Sequence, residues 1–260
     1  ALPICSMLSK AEIKRINSLS LKKFRLQYGL FCAEGDKIVN ELIVSGWETE
    51  AIYATEDWSG LQEDGSGNPN IRIISNRELG QISSLTTPNK ALALVRIPQR
   101  DMIQIDATKE LVLALDNIQD PGNLGTIIRA GDWFGVDKII CSQDTADVYN
   151  PKVIQATMGS FARVQLYYCN LAEFFDSLPE GLPIMGAMLQ GHNIFEKEPP
   201  KRGILVLGNE SKGISANIER RISQKLFIPM YNEDLRTQKP ESLNVAMAAG
   251  IMLGWMRSQG

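Results

Sequence analysis

Leu111-Val112-Leu113-Ala114-Leu115-Asp116-Asn117-Ile118-Gln119-Asp120-Pro121-Gly122-Asn123-Leu124-Gly125-Thr126-Ile127-Ile128-Arg129 is the stretch that decides the fold class. Its first five residues form an unbroken apolar run, as in a strand covered on both faces. A turn rich in Asn, Asp, Pro and Gly follows, and then apolar residues at helical spacing. A buried strand that passes through a turn into a helix is the unit of parallel sheets. The rhythm continues downstream with strands expected at 138–141, 164–168, 184–189, 204–207 and 226–229. Helices are expected at about 123–134, 171–178 and 215–222, with Ser215 as a cap, and another is opened by Asn150-Pro151, a polar cap with proline at the first helical position. An almost wholly apolar helix closes the chain from Ser242, the expected N-cap. The expected class is α/β with a mostly parallel sheet.

A smaller α/β run precedes this one. Residues 9–28 read as one or two helices capped by Ser9, followed by a strand at Phe31-Cys32-Ala33 and a helix at 35–45. Strands are expected at 51–54, 71–74 and 91–97, a helix at 76–85, and a loop at Asp64-Gly65-Ser66-Gly67-Asn68-Pro69. This divides the chain into a domain at 1–98, a polar linker at 99–109 and a second domain at 110–260.

Composition removes several function classes. The 260 residues are 44% hydrophobic, normal for soluble domains. The apolar stretch Leu243 to Met256 is shorter than the roughly 18 residues of a membrane span. No basic-then-apolar leader opens the chain, so a cytoplasmic location is expected. Cys5, Cys32, Cys141 and Cys169 are too scattered for a zinc site or a disulfide framework and read as buried thiols. The single histidine, His192, in an expected turn at 190–193, excludes multi-histidine metal sites and makes a Ser-His-Asp triad a poor reading. GxGxxG is missing, which excludes a dinucleotide fold, and Ile214 follows Gly213 where a phosphate loop needs lysine.

The net charge of −3 argues against non-specific nucleic-acid binding. Even so, Lys10, Lys14, Arg15, Lys22, Lys23 and Arg25 cluster in one segment, either as a phosphate-binding patch or as an ordinary solvated helix face. In the main stretch, Asn117, Asp120 and Asn123 can tie the turn together, and Arg129 lies about six residues into the helix. Glu210 follows a buried strand and needs a partner, for which Arg129 is one candidate. Asn244, set one turn inside an apolar helix, also needs a fixed partner, because an unpaired buried amide costs about 1–3 kcal/mol.

Three segments together resemble the motifs of the SpoU (TrmH-like) RNA ribose 2′-O-methyltransferases of the SPOUT superfamily. They are Asn117 with Asp120-Pro121-Gly122-Asn123-Leu124-Gly125 and Arg129; Leu207-Gly208-Asn209-Glu210 with Gly213; and Ile228-Pro229-Met230 with Ser242-Leu243-Asn244-Val245. The resemblance implies a trefoil-knotted C-terminal domain, a homodimer formed through it, and S-adenosyl-L-methionine as cofactor with no metal. It implies that backbone near Leu207, Gly208, Asn209, Ile228, Pro229, Met230, Ser242 and Leu243 holds the cofactor. It further implies that Arg129, Asn117, Glu210, Ser242 and Asn244 line the methyl-transfer site. For Arg129, acting as a base would demand a large shift of a guanidinium that is protonated at any ordinary pH, so stabilising the developing alkoxide or gripping the adjacent phosphate is physically easier.

The first domain resembles the substrate-binding domain of rRNA-modifying members, itself similar to a small ribosomal-protein RNA-binding fold, through Lys22-Lys23-Phe24-Arg25, Phe31-Cys32-Ala33-Glu34-Gly35 and Leu85-Thr86-Thr87-Pro88. This favours rRNA over tRNA as substrate. One departure is the segment Tyr231 to Glu241, longer than the family's short turn and carrying Glu233, Asp234, Arg236 and Lys239. It keeps open a second reading, a catalytically silent RNA-binding or ribosome-assembly factor on the same scaffold.

Overall fold

The computed structural model describes residues 8–60, 70–99, 105–107, 109–231 and 242–258. The expected loop at 64–69, the charged residues of the 231–241 segment and Cys5 lie outside them. In chain order the elements begin with α1 (Lys10–Ser18), α2 (Lys22–Tyr28), β1 (Leu30–Glu34), α3 (Asp36–Val44), β2 (Thr49–Ala54), β3 (Ile71–Ile73), α4 (Asn76–Ile82) and β4 (Ala91–Arg96). Next come β5 (Leu111–Asp116), α5 (Pro121–Trp133), β6 (Lys138–Ser142), α6 (Pro151–Thr157), β7 (Gln165–Cys169) and α7 (Leu171–Asp176). The chain ends with β8 (Ile184–Asn193), β9 (Gly203–Gly208), α8 (Ala216–Glu219), β10 (Gln224–Phe227) and α9 (Val245–Arg257). Two compact units result: Ala1–Arg100 with Asp147–Arg163, and Asp101–Ala146 with Val164–Gly260.

The first unit is a four-stranded sheet in the order β1-β4-β2-β3, antiparallel except for the β2/β3 pair. Alternation along β1 explains its two covers. Leu30 and Cys32 pack with Ile16, Leu19, Leu79 and Ile82. Phe31, one residue out of phase, meets Trp47, Tyr149 and Phe161 with ring centroids 4.6–5.9 Å apart. Two of those three rings come from the returning segment 147–163, whose Gln155 also donates to the Glu34 carbonyl at 2.7 Å. Ser9 caps α1 as expected, accepting from the Glu12 N–H.

Arg25 departs from the expected basic patch. Only 3% of it is exposed, and it donates to Asp147 Oδ2 at 2.6 Å and to the carbonyls of Leu19 and Ser20 at 2.8 and 2.9 Å. Burying a guanidinium is costly unless its charge and donors are met in this way, so Arg25 is a structural residue. Cys32 and Cys141 are buried free thiols as expected, whereas Cys169 is a free thiol only half-buried, and burial pushes the Cys32 thiol up to about 12.

The second unit holds six parallel strands in the order β10-β8-β9-β5-β6-β7. The all-apolar β5 sits between β9 and β6, buried along its whole length. β5 and β9 pair in register from Leu111/Gly203 to Asp116/Gly208, so their carboxyl ends finish side by side. α5 and α9 pack against each other.

Three local expectations are corrected. β8 runs through His192 to Asn193, so His192 lies in a strand and not in a turn. After a register shift, Leu226 and Phe227 of β10 pair with His192 and Asn193, and this ladder overrides the turn-like composition. Gly191 permits the approach, because a Cβ there would come 2.4 Å from the Lys225 carbonyl oxygen. α9 begins at Val245 with Asn244 as N-cap, so the cap is not Ser242. α8 is a single turn, and Ser215 makes no side-chain cap. No described helix is long and apolar enough to cross a membrane, and the described residues contain no cluster of three metal-ligating side chains.

Candidate active site

The loops after β5 and β9 meet the start of α9. Asp120 caps α5 by accepting from the Asn123 N–H at 2.7 Å, with Pro121 at the first helical position. That leaves the Asn123 side chain free to bridge. Its Nδ2 donates to Glu210 Oε1 at 2.6 Å, and its Oδ1 accepts from Asn244 Nδ2 at 2.9 Å. Asn244 in turn accepts from the N–H groups of Ala246 and Met247, satisfying donors that a helix start leaves orphaned. One amide thus joins all three motif segments. Asn244 has a protein partner, but not for the reason expected: it is not one turn inside the helix and buried, it is the exposed N-cap just before it.

Glu210 also finds a partner, but it is Asn123 and not Arg129. Arg129 is exposed, and its side chain forms no hydrogen bond or ion pair with the described residues. Helix geometry explains the separation. Six residues beyond Asn123 is about 9 Å further along the axis and about 120° around it, so the two side chains leave α5 in different directions. Ser242 is exposed, two residues before the cap.

The loop after β9 is built rigidly. Asn209 forms a reciprocal backbone pair with Gly213 at 3.0 and 2.8 Å, while its Oδ1 accepts from the Ser211 and Lys212 N–H groups. Gly208 is required there, since a Cβ would lie 2.3 Å from the Gly213 carbonyl carbon and the Ile214 nitrogen. Asp116 Oδ2 secures the loop's exit by accepting from the Ser215 N–H at 2.7 Å. Asn209 Nδ2 donates to the Asn117 carbonyl at 2.9 Å, tying the second loop to the first.

Asn117 itself has φ +61°, a left-handed conformation that asparagine tolerates better than most residues. Its N–H donates to Ser142 Oγ at 2.8 Å, and its Oδ1 is buried with no hydrogen-bond partner. Neither Ser142 nor Thr145 stands out in the sequence as a site residue. Their only signal is a hydroxyl at the end of the neighbouring parallel strand. Met230 and Leu243 present exposed apolar side chains beside the candidate positions Pro229 and Ser242. Among the described residues, the backbone N–H groups of Ile228 and Met230 take no backbone partner.

The first unit carries a separate cationic surface on α1 and α2. Lys10, Lys14, Lys22 and Lys23 are exposed. Arg15 pairs with Glu50 at 2.8 Å and lies over the Tyr28 ring, and Lys23 lies over Phe24. Leu21 and Leu26 are exposed between them.

Comparison with known proteins identifies the scaffold. The model of the SpoU rRNA methylase family matches residues 110–254. The chain belongs to that family. The MRM3-like substrate binding domain matches residues 10–93 of this SpoU-family chain. The 23S rRNA (guanosine(2553)-2'-O)-methyltransferase RlmP of Bacillus subtilis is 29% identical over 248 residues, 95% of this chain and 96% of its own length. A structure of a putative RNA methyltransferase of the TrmH family from Porphyromonas gingivalis superposes with a TM-score of 0.85 at 33% identity, covering 98% of this chain and 100% of that one. The AdoMet-bound rRNA methyltransferase from Sinorhizobium meliloti gives a TM-score of 0.82 at 25% identity, covering 98% and 97% of the two chains.

Proposed function

We infer that this SpoU-family chain transfers a methyl group from S-adenosyl-L-methionine to a ribose 2′-hydroxyl of rRNA. The observation that carries the reading is the bridge Glu210–Asn123–Asn244, which joins residues from all three family motifs at the carboxyl ends of parallel strands. That is where open α/β sheets bind ligands.

The residues fit the cofactor. Met230 and Leu243 offer apolar surface for an adenine ring, and Ile228 and Met230 offer backbone donors that take no backbone partner among the described residues. The buried Asn117 Oδ1 lacks a donor, and the cofactor's ammonium and ribose hydroxyls are donors. Backbone at Leu207, Gly208, Asn209, Ile228, Pro229, Met230, Ser242 and Leu243 would hold it. When bound, S-adenosylmethionine supplies a methyl group already activated on a sulfonium.

Arg129 would then steady the 2′-oxygen as charge develops on it, or grip the adjacent phosphate, through its planar fork of donors. It stands with Gly122, Thr126 and Trp133 on one exposed stripe of α5, and Trp133 is 84% exposed. Beside α5, the α9 side chain of Met247 is exposed, and Gly250 has nothing near its Cβ position. An exposed tryptophan and methionine on packed helices suit a second copy of the chain. We therefore read the protein as a homodimer through the second unit, with Arg129 completing its site at that interface, and as carrying the family's trefoil knot. We place it in the cytoplasm. Residues 1–98, completed by the 147–163 segment, form the RNA-binding part, and the rest of 110–260 forms the catalytic part, with 99–109 as the linker and Lys10, Lys14, Arg15, Lys22 and Lys23 meeting phosphates.

The deciding experiment is transfer of labelled methyl from S-adenosylmethionine to protein-free rRNA lacking the modification. Wild type should label one ribose, making it resistant to alkaline cleavage, and Arg129→Ala should lose about 100-fold or more in turnover. A wild-type protein that neither labels rRNA nor binds S-adenosylmethionine in calorimetry would make the silent assembly factor the correct reading.

A further inference from the structure

The turn that holds Asn117 is braced from outside its own loop. Asn117 donates its N–H to Ser142 Oγ at 2.8 Å. Ser142 Oγ lies 3.0 Å from Thr145 Oγ1, and Thr145 donates to the Leu115 carbonyl at 3.2 Å. Because the Thr145 hydrogen is committed to Leu115, Ser142 is the donor between the two hydroxyls. The chain of bonds therefore leaves residue 117 and returns to residue 115. On the far side the Ala146 N–H donates to the Ile118 carbonyl at 2.8 Å. Residues 142–146 thus grip 115–118 from both ends, and Thr145 is buried.

Asparagine in a left-handed turn ordinarily bonds its own neighbouring backbone. Here Ser142 and Asn209 take both backbone groups, and Oδ1 is left buried without a donor. An unpaired buried acceptor is destabilising, and glycine would adopt this backbone without one. The other two unpaired buried side-chain atoms among the described residues, on Asn40 and Trp58, belong to the first unit.

We propose that Asn117 Oδ1 accepts a hydrogen bond from a hydroxyl or ammonium donor on a bound reactant, and that Ser142 and Thr145 are positioning residues that hold it ready. The inference rests on the methyltransferase reading. The donor belongs either to S-adenosylmethionine or to the ribose of the RNA. Asn117→Gly keeps the left-handed backbone and removes Oδ1, Asn117→Asp keeps an acceptor, Thr145→Val breaks the brace, and Thr145→Ser keeps its hydroxyl. Calorimetry with S-adenosylmethionine, KM for protein-free rRNA and thermal unfolding are measured on each. Asn117→Gly should weaken one of the two binding constants about tenfold with the unfolding temperature no lower than wild type, and Asn117→Asp should lose less. Thr145→Val should shift the same constant, and Thr145→Ser should restore it. A shift in the calorimetric Kd assigns the donor to the cofactor, and a shift in KM alone assigns it to the RNA. Wild-type values of both constants in Asn117→Gly overturn the inference, and that variant decides alone should Thr145→Val fail to fold. A wild type that neither binds S-adenosylmethionine nor transfers methyl overturns the proposed function, and this inference falls with it.

Discussion

Asn123 answers two demands with one amide, donating to a carboxylate and accepting from a helix cap. Asn123→Ala strips half-buried Glu210 and exposed Asn244 of these partners, so it should cost about 0.5–1.5 kcal/mol in denaturant unfolding. Asn123→Asp should be worse than alanine at neutral pH, since it sets two carboxylates against each other, and should recover in mild acid once one can donate a proton to the other. Equal stability of the two variants across pH would show that the bridge carries no load. The sequence marked Glu210 and Asn244 as residues in need of partners on the expectation of burial, which the exposed Asn244 does not meet. It did not disclose who the partner was. Asn123 is 87 residues from Glu210 and 121 from Asn244, and no local pattern spans such distances. Arg129 looked suitable from charge alone, and helix geometry turned it elsewhere.

Among the elements, strands and helices were legible wherever their periods were clean: β5 as a run covered on both faces, α5 and α9 as helices following polar turns. Their ends were less so. Ser242 and Asn244 are equally good caps by residue type, and the choice fell to Asn244 because Asn123 holds its amide in place. Asn244→Ala should therefore cost about 1 kcal/mol or more, whereas Ser242→Ala should leave stability nearly unchanged. α4 offers a pH test. Its capping box has Glu78 accepting from the Ser75 N–H and hydroxyl and from the Leu8 N–H. The Ser75 backbone bond first, then the Ser75 hydroxyl and Leu8, hold this carboxyl below the usual range. Its folded value is depressed, so its stabilisation is complete above the ordinary carboxylate range and is lost as pH falls through the lowered value. Acid unfolding of Glu78→Gln should accordingly show a shallower dependence on pH than wild type.

For the whole molecule, the most misleading sequence feature was the basic segment at 10–25. Its lysines are surface cations, while Arg25 is core. Replacing Lys10, Lys14, Lys22 or Lys23 with alanine should weaken rRNA binding and lower its salt slope by about one per site, with folding intact. Asp147→Ala, which strands Arg25, should instead destabilise the fold by about 3–5 kcal/mol. The helix at 151–157 was legible from Asn150-Pro151, but its companion was not, since nothing near it in sequence says that it packs on β1.

That companionship has a consequence for how the protein is made. The segment that covers Phe31 and neutralises Arg25 is translated only after β5, α5 and β6. A nascent chain emerging at about 5–20 residues per second must carry an unfinished first sheet, with aromatic surface open to water, until the ribosome has passed residue 163. A fragment cut at the linker would be frozen in that unfinished state, prone to self-association, whereas one that retains 147–163 on a tether would be whole.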